Sequence, residues 1–73
     1  MNKEITILEL VKKALPNTTV RKSNDEYVFS LEGFYHTSWR VEIIDDALVG
    51  RLPVIARYIA RELFDIKLEG SIK

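Results

Sequence analysis

The chain has 73 residues, with 11 basic and 11 acidic side chains, one histidine and no cysteine. That length admits one domain, taken as residues 1–73. The missing cysteines exclude disulfides, thiolate zinc sites and cysteine nucleophiles, and a lone histidine excludes multi-histidine metal centres. So short a chain has a small core, and self-association would help it.

No apolar run approaches the ~18 residues of a membrane span, and charges interrupt the N-terminal segment Met1-Asn2-Lys3-Glu4-Ile5 where a signal peptide would be apolar. A complete small cytoplasmic protein without cofactor or metal is expected. The net charge of zero conceals a segregation. Residues 1–22 carry +3, residues 23–46 carry −5 and residues 47–73 carry +2.

In chain order, Thr6-Ile7-Leu8-Glu9 fits a capping box, with Ile5 and Leu10 as its hydrophobic staple. Ile7, Leu8, Val11, Ala14 and Leu15 then recur at helical spacing, which predicts a helix over 7–15 ended by Pro16. Residues 1–5 are expected to form a mobile arm. Thr18–Lys22 is a β-branched strand, and Ser23-Asn24-Asp25 has turn chemistry. Tyr27, Phe29 and Leu31 alternate with Val28, Ser30 and Glu32 as in a half-buried strand, which Gly33 breaks. A further alternation sets Trp39, Val41 and Ile43 against Arg40, Glu42 and Ile44 and predicts a third strand.

Asp45-Asp46 either turns the chain into a fourth strand at Ala47-Leu48-Val49 or caps a helical turn. Pro53 suits the first turn of a helix, so the last helix starts near Leu52–Pro53. Its buried stripe is Leu52, Ile55, Ile59, Leu63 and Ile66, with Ala56 and Ala60 allowing close packing. The tail 68–73 is expected to be mobile. The fold class is therefore α+β: helix, a three- to four-stranded antiparallel meander, then helix, with the helices on one face of the sheet.

Candidates for chemistry are few. His36, in Phe34-Tyr35-His36-Thr37-Ser38-Trp39, has Glu32 and Ser38 nearby but no recognisable triad, and reads as a hairpin-loop residue shielding its aromatic neighbours. Asp45-Asp46 with Glu42 lacks the spaced oxygen ligands of a hard-cation loop. The three glycines are too dispersed to cradle a phosphate. No catalytic site is expected.

The last helix carries Val54, Arg57, Arg61 and Phe64 opposite its buried stripe, with Tyr58 alongside. Arginine and aromatic residues among apolar ones are typical of interface centres. A second surface is the outward sheet face, assigned Thr19, Val28, Arg40, Glu42 and Ile44.

The helix–strands–helix order, the segment Tyr27 through Glu32-Gly33-Phe34-Tyr35-His36, and Ala56-Arg57 with Ala60 together resemble the double-stranded RNA-binding domain. The resemblance implies an αβββα layout and nucleic-acid contacts at Lys12, His36, Arg51 and Arg57. The family's basic pair at the start of its last helix falls on Pro53-Val54 here, and no proline follows Gly33. We therefore carry over the layout and not the function. The leading expectation is a non-catalytic module of the adaptor, regulator or inhibitor type, as in bacterial and viral accessory proteins. It binds a protein partner through Val54, Arg57, Tyr58, Arg61 and Phe64, with a homodimer as a further candidate. The alternative is nucleic-acid binding through Lys12, Lys13, His36, Arg51 and Arg57.

Overall fold

The computed structural model describes residues 3–71. Its elements are α1 (Lys3–Ala14), β1 (Thr18–Ser23), β2 (Glu26–Leu31), β3 (Tyr35–Arg40), α2 (Val41–Asp45), one 3-10 turn (Val49–Arg51) and α3 (Leu52–Ser71). The strands form one antiparallel sheet in the order β1-β2-β3, and the helices pack on one face of it, as the α+β pattern predicts.

Helix α1 starts earlier than the capping box implies. Thr6 and Ile5 are helical instead of forming cap and staple, because Lys3-Glu4-Ile5 contains no helix breaker and Glu4 suits the positive end of the helix dipole. Ile7 and Val11, one turn apart, are fully buried. The helix ends at Ala14, two residues before Pro16, and Asn17 takes a left-handed φ of 72°. Thr18 is buried, and its hydroxyl donates to the Leu15 carbonyl at 2.7 Å, satisfying a carbonyl that the helix leaves open. The expected mobile arms are helical over residues 3–5 and 68–71, while residues 1–2 and 72–73 lie outside the described residues.

Two tight turns define β2. Asn24, at φ 54°, closes the first hairpin so that Ser23 faces Glu26. Glu32 and Gly33, at φ 58° and 69°, close the second, with the Phe34 amide donating to the Leu31 carbonyl at 3.0 Å. Tyr27, Phe29 and Leu31 then point into the core, as their alternation predicts.

The third strand is shorter than the Trp39–Ile43 alternation implies, and residues 41–45 are helical. The reason is pairing. Arg40 lies opposite Glu26, the first residue of β2, so a longer β3 would have no neighbour. The chain leaves the sheet there, and the Val41 amide donates to the Asp25 carbonyl at 2.7 Å. The turn of α2 buries Ile44 completely, which removes Ile44 from the outward sheet face and places Glu42 on a helix. Asp45 closes α2 and Asp46 is its C-cap, and no fourth strand forms at residues 47–49. The Tyr27 hydroxyl donates to Asp45 Oδ1 at 3.1 Å and ties α2 to β2.

Helix α3 begins at Leu52 with Pro53 in its first turn, as expected. Leu52, Ala56, Ile59, Ala60 and Leu63 are buried, and Ile55 and Ile66 are partly so. At about 1.5 Å per residue, its 20 residues run ~30 Å, longer than any strand. Its C-terminal end lies beside the second hairpin turn, where Lys67 pairs with Glu32. Gly70 is placed so that a Cβ there would sit 3.1 Å from the Tyr35 ring.

Truncating a central core residue such as Ile59 to Ala removes buried methylenes and leaves a cavity, at a cost of about 2–5 kcal/mol. For so small a domain that loss should appear as a large drop in the urea midpoint. Burial first, and then the Asp45 carboxylate it donates to, raise the Tyr27 hydroxyl above its ordinary value of 10.0. A raised acid is neutral in the folded state at pH values where the unfolded state ionises. Its contribution is therefore complete below pH 10 and disappears as pH rises beyond it. Urea midpoints measured across that range should fall more steeply for the wild type than for Tyr27→Phe.

Candidate functional site

The early end of β3 also creates a groove. Trp39 occupies the last inward position of β3, and Ile43 projects from α2 with 45% of its surface exposed. Asp46, Ala47 and Leu48 form the link that follows, and Arg51, Val54, Ile55 and Tyr58 come from the entry and first turns of α3. Together they line a groove of about 610 Å³ whose walls are apolar apart from Asp46 and Arg51. A five-residue α2 is too short to cover it. Leu48 on its lining and Val49 next in the chain are 73% and 72% exposed.

The groove continues onto the outer face of α3. Val54 and Tyr58 also line a smaller cleft with Arg57 and Arg61. Four of the five residues expected to meet a protein partner therefore adjoin one another, and Phe64 lies exposed farther along the same helix. Arg51, Arg57 and Arg61 make no ion pair among the described residues. Other parts of the wall escape a sequence reading, because Trp39, Ile43 and Leu48 come from three separate segments, the first two reading as one strand and the third left open between a strand and a helical turn. The visible signal is the excess of apolar residues between 39 and 49.

Trp39 is held in place from the helix side. Its indole Nε1 donates to Glu62 Oε2 at 3.3 Å, and the Thr37 hydroxyl donates to the same oxygen at 2.7 Å. Both side chains are on the inward side of β3, so Glu62 locks the strand to α3.

The residues of the nucleic-acid alternative are dispersed. Lys12 and Lys13 lie in the last turn of α1, at the end of the molecule that holds the second hairpin turn. Arg51 and Arg57 belong to the opposite end, near the start of α3. His36 is on the outward face of β3 and not in a loop. It stands directly opposite Ser30, with Ser30 Oγ and His36 Nδ1 2.7 Å apart. Sequence reasoning misses this serine–histidine contact, although counting outward from a three-residue turn at 32–34 pairs the two positions. Neither residue lines any of the cavities described above. Thr19, Val28 and Arg40 do lie on the outward sheet face as expected. Among the described residues no group of three or more His, Asp or Glu side chains is placed to hold a metal ion, and no helix is long and apolar enough to cross a membrane.

Trp39 is the only tryptophan, so its fluorescence reads the groove directly. Occupation of the groove should shift its emission and reduce quenching by iodide, and Tyr58→Ala should weaken that response. No family model, no curated protein and no solved structure matches this chain.

Proposed function

We propose that the protein is a small non-catalytic module that binds a protein partner, of the adaptor, regulator or inhibitor type. The observation that carries this reading is the continuity of an apolar groove with the arginine-bearing face of α3, through the shared residues Val54 and Tyr58. Interfaces combine a desolvated apolar and aromatic centre with a polar rim, and arginine and tyrosine often dominate their energetics. Contiguous exposed apolar residues on a monomer mark interaction sites more often than isolated ones do. The missing cysteines suit a reducing compartment, and the cytoplasm is the proposed location.

Nucleic-acid binding is the second reading, and the spread of Lys12, Lys13, His36, Arg51 and Arg57 over different faces counts against it. Phosphate recognition needs cations along one track, whereas Asp46 is among the residues that line the groove.

The test is affinity capture from the native host with wild type, Val54→Asp and Tyr58→Ala, beside a mobility-shift series on duplex and single-stranded DNA and RNA at low salt. Val54 is exposed in the first turn of α3, where an acidic residue suits the helix dipole, so the variant should fold. Proteins retained by wild type should be lost by both variants, with no nucleic acid shifted. Salt-sensitive shifts abolished by Lys12→Ala and Lys13→Ala would overturn the protein-binding reading in favour of the alternative.

A further inference from the structure

We propose that the occupant of the groove is a second copy of this chain, held in a two-fold dimer; this rests on the reading of the groove as a protein-binding site. The surface has what an isologous contact requires, because a two-fold axis sets each patch against itself and residue i must suit residue j of the same patch. Here ridge and groove are adjacent. The ridge, Leu48 with Val49 next in the chain, is largely exposed, and Leu48 itself lines the hollow together with Trp39, Ile43, Val54, Ile55 and Tyr58. Two copies related by a two-fold axis place each ridge in the other's hollow.

The charges repeat this pattern. Asp46 and Arg51 are the two charged residues lining the groove, they bracket the ridge in sequence, and neither makes an ion pair among the described residues. In the dimer, Asp46 of each copy meets Arg51 of the other, giving two reciprocal pairs around an apolar centre. A partner of one charge sign would leave either Asp46 or Arg51 facing a like charge. A second copy satisfies both.

The area required is within reach. A standard interface takes about 800 Å² from each partner, and the whole chain exposes 5133 Å². That share is about one sixth of the exposed surface. The aliphatic surface of Ile43, Leu48, Val49 and Val54 would leave water on association, a gain of the kind that a short, disulfide-free chain lacks within its own core.

Charge reversal in complementary halves provides the test. Asp46→Arg puts a cation at the C-terminal end of α2, and Arg51→Asp puts an anion just before α3. Both suit the local helix dipoles, so each variant should retain the fold. In sedimentation equilibrium, wild type should dimerise, and each variant alone should self-associate at least tenfold more weakly. An equimolar mixture of the two variants should recover dimers. In the mixed dimer the introduced arginine of one copy meets the introduced aspartate of the other, and the remaining native Arg51 meets the remaining native Asp46. A wild type that stays monomeric at concentrations on the order of 1 mM would overturn the proposal. So would single variants that dimerise like wild type, or a mixture no tighter than its components. If the second copy is rejected in this way while Val54→Asp still loses captured proteins, only the identity of the occupant is wrong. If capture is also insensitive to Val54→Asp, the binding surface itself is wrong.

Discussion

The length of β2 governs the rest of the molecule. Turns at Asn24 and at Glu32-Gly33 confine it to six residues, and it is the central strand, so both neighbours inherit that length. Beyond Arg40 β2 offers no further residue to pair with, and a continued strand would have no ladder partner inside the protein. The chain solves this by turning into α2. The Asp25 carbonyl takes the first free amide, Ile44 enters the core and Tyr27 fixes Asp45. Once α2 has ended, the link at residues 46–48 and the 3-10 turn bring the chain round to start α3. The groove is the space left between that detour and the end of β3.

Helix α3 serves two surfaces, and their chemistry differs as their roles do. The inward stripe of Leu52, Ile59 and Leu63, with the small Ala56 and Ala60, permits close approach of α1 and of the sheet. The outward face keeps Val54 and Tyr58 exposed between arginines. A lone exposed apolar residue is ordinary on a protein surface. Here, however, the exposed residues of α3 adjoin those of α2 and the link, which turns scattered positions into a patch. Glu62 stiffens one wall by holding both Thr37 and Trp39, so that wall is built on a strand and a helix, while the link at residues 46–48 lines the groove elsewhere.

The sequence shows most clearly those parts that depend on local period. The α3 stripe, the β2 alternation and the helix-terminating role of Pro16 are all legible, because each follows from spacing or from backbone preference. The region 39–45 is not, for a physical reason. Trp39, Val41 and Ile43 alternate and are good strand formers, and only the distant end of β2 overrides them. The same information is nonetheless implicit in the turns, since counting outward from residues 32–34 pairs Arg40 with Glu26 and also Ser30 with His36. Likewise, the capping box at Thr6 has the right composition, but compatible residues before it let the helix run on to Lys3. The outer residues of α3 emerge from helical spacing alone, whereas the opposite wall of the groove depends on α2 and so escapes.

The dependence of the groove on the end of β2 is the central claim, and backbone chemical shifts with amide exchange of the wild-type protein in solution test it most directly. Helical shifts should run from Val41 to Asp45 immediately after extended shifts ending at Arg40, with the Val41 amide protected by its bond to Asp25. Extended shifts continuing through Ile44, with an unprotected Val41 amide, would contradict it.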